Sequence, residues 1–103
     1  MTLEELKTIL KSSGLPVTYR AWPEGEAPAL PYICYLAIGS SNFVADGIVY
    51  AGFQRVQVEL YTKLKDEAME DKVEQVLSSL VWEKTEEYID GEECYQILYE
   101  IEV

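Results

Sequence analysis

The chain has 103 residues, 49 % of them hydrophobic, with 19 acidic and 8 basic side chains, a formal net charge of −11 and no histidine. That length fits one domain over residues 1–103 and leaves no room for two, and the apolar content argues against disorder. The charge disfavours ordinary binding to a phosphate backbone or an anionic membrane surface, no apolar run approaches the ~20 residues of a membrane span, and without histidine there is no Ser-His or Cys-His nucleophile pair.

The first expected element is a helix over Thr2 to Ser13. Thr2 and Glu5 form a T-x-x-E capping box, and Leu3, Leu6, Ile9 and Leu10 recur at helical spacing. Gly14 can take the left-handed closing position and Pro16 prevents continuation. Val17 to Trp22 alternates and reads as a first strand. Pro23 to Pro31 holds three prolines and a glycine in nine residues, which excludes regular helix or central strand and leaves a stiff extended loop.

Tyr32 to Ile38 is nearly continuously apolar and reads as a strand buried on both faces or covered by another chain. Gly39 to Asn42 reads as a polar break. Phe43-Val44-Ala45 and Ile48-Val49-Tyr50 then flank Asp46-Gly47, a pair suited to a tight type I′ turn, so a short hairpin is expected here. Gln54 to Thr62 is the cleanest strand, with Val56, Val58 and Leu60 on one face and Gln57, Glu59 and Thr62 largely on the other or at the end.

Asp66 is the expected N-cap of a second helix over Glu67 to Leu80. Met69, Val73, Val76, Leu77 and Leu80 form its apolar stripe, with Glu67, Glu70, Asp71, Lys72 and Glu74 on the wet side. Two strands close the chain, Val81 to Ile89 and Glu93 to Glu102, with Asp90-Gly91 between them and Glu92 able to lengthen the turn. The expected fold is α+β: a single mostly antiparallel sheet with two helices packed on one face, in the order α-β-β-(hairpin)-β-α-β-β.

Chemistry-bearing motifs are few. There is no glycine-rich phosphate loop and no G-x-G-x-x-G fingerprint. Cys34 and Cys94, far apart and without histidine, do not make a zinc site. They read as two buried thiols, with a disulfide open if their strands are neighbours. Glu83, Glu86, Glu87, Asp90, Glu92 and Glu93 cluster at the last hairpin. They are a cation or acid–base candidate set against a solvated face, and they lack the spacing of a calcium loop. Tyr88, Tyr95, Tyr99 and Trp82 would make a base-stacking platform only in a positive groove, which this composition does not supply. No catalytic residue, metal or cofactor is expected, and no enzyme activity.

The segment Ser41 to Phe53 is more informative, because it carries Phe43, Val44, Ile48, Val49, Tyr50 and Phe53 with a single charge, Asp46. Folded flat on the core, this is ordinary burial. Projecting, it is surface that needs a partner and offers strand edges to one. These six residues are the candidate subunit interface. The proline-rich loop is a connector or a docking segment.

Several segments in order carry a family likeness: Pro23-Glu24-Gly25-Glu26-Ala27-Pro28, Leu30-Pro31-Tyr32-Ile33, Ala45-Asp46-Gly47, and Val56-Gln57-Val58-Glu59-Leu60-Tyr61-Thr62-Lys63. An acidic helix, Trp82-Glu83-Lys84-Thr85 and the closing Tyr95-Gln96-Ile97-Leu98-Tyr99-Glu100-Ile101 complete the series. Over nearly its whole length the chain resembles the small tail-completion proteins (tail terminator, head–tail joining, minor tail) of tailed phages and prophages of Gram-positive bacteria.

The resemblance implies an α+β subunit without catalytic residues. It would form a ring, often hexameric, at the head-proximal end of the tail tube. Its partners would be its own copies, the tail tube protein and the head connector protein, with no sequence-specific nucleic acid and no membrane. Its location would be the host cytoplasm during assembly and then the virion tail. An N-terminus without a basic segment and a following apolar run leads to the same expectation of a cytoplasmic product. The competing reading is a small acidic inhibitor, a DNA mimic that occupies the groove of a nucleic-acid enzyme.

Overall fold

A computed structural model of the chain describes residues 1–45 and 48–103, with backbone alone for 41–45 and 48–51. Helix α1 covers Leu3–Lys11. The capping box forms: the Thr2 hydroxyl accepts from the Glu5 N–H at 3.1 Å, and the Glu5 carboxylate accepts from the Thr2 N–H at 3.2 Å. Two of the helix's orphan donors are thereby satisfied. The helix stops short of the expected Ser13 because the Ser12 and Ser13 hydroxyls turn back onto the Ile9 and Leu10 carbonyls. Gly14 then takes a left-handed φ of +86°.

Strand β1 is Val17–Tyr19, shorter than the expected Val17 to Trp22. Arg20 adopts a left-handed φ of +66°; its N–H donates to the Tyr35 carbonyl at 2.7 Å before the chain leaves the ladder. β1 runs parallel to β2, Tyr32–Ala45, with Val17 beside Ile33 and Tyr19 beside Tyr35. A parallel neighbour requires a crossover, and the proline-rich stretch 20–31 supplies it without a helix.

β2 does not end at Gly39. It continues to Ala45 and pairs antiparallel with β3, Ile48–Thr62. The expected polar break is instead a β-bulge. Ala37 pairs with Val56 and Gly39 with Arg55, leaving Ile38 extra. Ser40, Ser41 and Asn42 are accommodated in a strand whose pairing partner there, among the described residues, is β3 alone. The expected Asp46-Gly47 turn lies outside the described residues; the flanking Ala45 and Ile48 are paired.

Helix α2, Glu67–Val76, begins where Asp66 accepts from the Met69 N–H at 3.1 Å. It ends before the expected Leu80, and Leu77 to Leu80 form turns. β4, Trp82–Ile89, and β5, Cys94–Glu102, form the last hairpin. Its connection is Asp90–Glu93, with Glu93 rather than Gly91 in the left-handed region at φ +51°.

The fold is α+β, with one five-stranded sheet in the order β1-β2-β3-β5-β4. Strand alternation sorts its two faces. Ile33, Tyr35, Val56, Val58, Leu60, Ile97, Tyr99 and Ile101 meet Leu6 and Leu10 of α1 and Val73 and Leu77 of α2 in a single core. Both helices therefore lie on one face, as expected. Thr62, the last residue of β3, is at the strand's end, one of the two places the sequence allowed it, and is buried on this apolar side. Its place follows from being two residues beyond Leu60.

The second face carries Tyr32, Cys34, Glu59, Tyr61, Cys94 and Gln96. Part of it is roofed by the crossover, where the Trp22 ring meets Tyr32 edge-on at 5.7 Å. This cover explains why Ile33, Cys34 and Tyr35 are all buried although they alternate in direction. Cys34 and Cys94 are both free. They lie on β2 and β5, which are separated by β3. Two strand spacings of about 4.8 Å put them beyond the ~7 Å that a disulfide tolerates.

Candidate functional site: a hairpin beyond the sheet and the groove at its root

Three features stand apart from simple core packing. The first is the β2–β3 hairpin. β5 accompanies β3 only as far as Arg55, opposite Glu102, with one further backbone pair between Gln54 and Val103. β1 accompanies β2 only along Ile33 to Tyr35. From Ser41 opposite Phe53 to Ala45 opposite Ile48, the two strands pair only with each other among the described residues. The molecule is correspondingly elongated, 49 Å by 28 Å by 23 Å. The sequence had left open whether this segment lies flat or projects; the strand pairing shows a two-stranded ribbon running past the sheet.

Of the six candidate interface residues, Phe53 is described and is 46 % exposed. The side chains of Phe43, Val44, Ile48, Val49 and Tyr50 lie outside the described residues, whereas their backbones sit within the ribbon. Ile38, at the bulge where the ribbon leaves the sheet, is also exposed.

The second feature is a groove of about 500 Å³ at the root of that ribbon, missed by the sequence reading. Phe53, Leu80, Val81, Trp82 and Ile101 form its apolar lining, and Arg55, Glu83, Glu100 and Glu102 are among its polar residues. Val81 is 90 % exposed, although it separates half-buried Leu80 from Trp82. Arg55 donates to Glu100 at 3.0 Å across neighbouring strands. The sequence signal was the run Leu80-Val81-Trp82 at the boundary of helix and strand, where the chain is too short to bury all three.

The third feature is an ionic cluster joining α2 to β4 and β5. Glu70, expected on the wet side of its helix, is only 2 % exposed. Its carboxylate lies 2.7 Å from Lys65 Nζ and 2.6 Å from Lys84 Nζ. Lys84 also reaches Glu74 at 2.8 Å, and the buried Tyr99 hydroxyl donates to Glu74 at 2.7 Å. Burial pushes the Glu70 carboxyl up, but the two lysine bonds outweigh it and hold it below the ordinary carboxylate value. Burial, with Glu74 beside it, raises the Tyr99 hydroxyl. The missed signal was the spacing Glu70, Val73, Leu77, which puts the acid on the same helix face as two core residues. The cluster orients α2 on the sheet.

On the second sheet face, Gln96 donates to both Glu59 and Tyr61, at 3.1 Å and 2.9 Å, and Tyr61 donates to Glu59 at 3.3 Å. Burial raises the Glu59 carboxyl, and the Tyr61 bond opposes that. Burial also raises the Cys34 thiol to about 11, with Glu59 adding to it, so the thiol is a poor nucleophile. Among the described residues no three His, Cys, Asp or Glu side chains are placed to hold a metal ion. Of the last hairpin's acids, Glu83, Glu86 and Glu87 are exposed on β4, and Asp90, Glu92 and Glu93 are exposed in the connection to β5. Trp82 packs edge-on against Tyr99 at 5.4 Å and Tyr88 against Tyr95 at 5.0 Å, so the aromatic residues pair with one another.

No family model and no curated protein matches the chain. Among the described residues no helix is long and apolar enough to cross a membrane.

Proposed function

We propose that the chain is a structural subunit of a phage tail, forming a ring at the head-proximal end of the tail tube that terminates tail growth and joins the tail to the head connector. The observation that carries the assembly part of this reading is the ribbon. A two-stranded hairpin is marginal in water by itself, and among the described residues this one pairs with no third strand, yet Ser41 to Phe53 carries a single charge in a −11 chain. Phe43, Val44, Ile48, Val49, Tyr50 and Phe53 are its contact residues. The other sheet border, β4, is defended by exposed Glu83, Lys84, Glu86 and Glu87, a pattern that discourages edge pairing. The placement in a tail rests on the order of segments shared with tail-completion proteins. The acidic surface suits a channel through which DNA slides without sticking.

The test is assembly. Light scattering and sedimentation, from micromolar to millimolar concentration and with or without tail tube protein, should show self-association or binding to tube ends. Replacing Ser41 to Phe53 by a two-residue turn should abolish both while leaving the helical circular-dichroism signal intact. A wild-type protein that stays monomeric and ignores tube and connector would refute the reading.

A second reading, an acidic inhibitor that mimics DNA, is favoured by the exposed carboxylates along β4. It predicts a complex with a basic nucleic-acid enzyme that dissolves at high salt, whereas ring contacts through the ribbon should persist.

A further inference from the structure

Resting on the assembly reading, we infer that the ribbon of one copy docks into the groove at the ribbon root of a second copy, so that the contact is head-to-tail rather than ribbon-to-ribbon. The groove is lined by Phe53, Leu80, Val81, Trp82 and Ile101 and holds about 500 Å³, room for roughly two or three apolar side chains at interior packing density.

A copy cannot fill its own groove with its own ribbon. Phe53 is both the ribbon's last residue and part of the groove wall. The described strand runs from Ser41 to Ala45 away from that wall, about 13 Å at about 3.3 Å per residue. The far end therefore meets another molecule or solvent.

Charge favours a sister copy's ribbon over its acidic surfaces. Between Gly39 and Gln54 the only charged residue is Asp46, so the remaining residues carry 18 acids against 8 bases. The groove's apolar lining is accompanied by Glu83, Glu100 and Glu102, and its one cation, Arg55, is already paired with Glu100. Such a rim repels the acidic faces of an identical molecule and tolerates a nearly uncharged segment such as the ribbon. A contact between two different patches of one chain leaves each copy with one free donor and one free acceptor. It closes a ring where its rotation closes, whereas a ribbon-to-ribbon contact through the same edge is two-fold and stops at a dimer.

Two substitutions separate these geometries, both chosen to reduce net negative charge so that added repulsion cannot explain a loss. Val81→Lys alters the groove at a residue already exposed to solvent; Phe43→Lys alters the ribbon. Sedimentation velocity across a wide concentration range reads the association midpoint, and thermal melting confirms that each variant is folded. Each variant alone should weaken association by about tenfold or more, equivalent to about 1.4 kcal/mol. Mixed together, they should form a one-to-one dimer and nothing larger, because only the Val81→Lys ribbon and the Phe43→Lys groove remain intact. A Val81→Lys protein that associates like wild type, or a mixture that stays monomeric, overturns the inference while leaving the assembly reading in place. A wild-type chain that is monomeric throughout overturns both.

Discussion

Replacing Tyr99 by Phe removes one hydroxyl from the core and changes almost nothing else. The Tyr99 ring is fully buried, and its hydroxyl donates to the Glu74 carboxylate at 2.7 Å. Hydrogen bonds to charged groups contribute about 1.5–3 kcal/mol. Glu74 is half-buried and keeps Lys84 at 2.8 Å after the substitution, so the lower end applies, about 1.5 kcal/mol. With a urea slope of about 1.5 kcal/mol/M, the midpoint should fall by about 1 M at unchanged slope. Trp82 fluorescence is the natural probe, since its ring centre lies 5.4 Å from that of Tyr99. In a Glu74→Ala background the same substitution should cost distinctly less, because the carboxylate acceptor is already gone. A loss below about 0.5 kcal/mol, or an equal loss in both backgrounds, would refute the claim that this bond fastens α2 to β5.

Acid should release the Glu70 cluster. Its folded carboxyl is held below the ordinary value, so its stabilisation is complete above the unfolded carboxylate value and is lost as pH falls through the lowered folded one; the stability gap between wild type and Glu70→Gln should close over that window in urea titrations. Cys34, at about 11, is almost wholly protonated at pH 8, and Cys94 is also raised by burial. Both should therefore ignore a thiol reagent until urea unfolds the chain, and a fast-reacting native thiol would contradict the burial. Glu93→Asn should stabilise by about 0.5–1 kcal/mol, since the residue sits at φ +51° and asparagine tolerates that conformation better; an unchanged or lower melting temperature would count against strain there.

Local grammar was enough for several elements. Thr2 with Glu5, and Asp66 before Met69, located both helix starts, because capping involves residues only three apart. The alternation of Val56, Val58 and Leu60, and of Ile97, Tyr99 and Ile101, identified the sheet residues of the core before any pairing was known. Local grammar misjudged Gly39 to Asn42, where polar residues looked like a break but form a ribbon. Whether a polar strand is allowed depends on what lies beside it, and that is a matter of neighbours far along the chain. Glu70 was misplaced for a related reason: its burial depends on Lys65 and Lys84 converging from outside the helix.

The sequence by itself determined the α+β class, the two capped helices, the apolar stripes and the low-charge hairpin segment, since each follows from side-chain chemistry read over a few residues. Tertiary structure alone decided that β1 pairs parallel to β2, that β3 keeps the two cysteines apart, and that the ribbon outruns the sheet. It also gathered Phe53, Val81 and Ile101 into one groove. Those outcomes depend on which distant segments share a layer, and that is settled by collective burial of apolar area, which no short window of sequence contains.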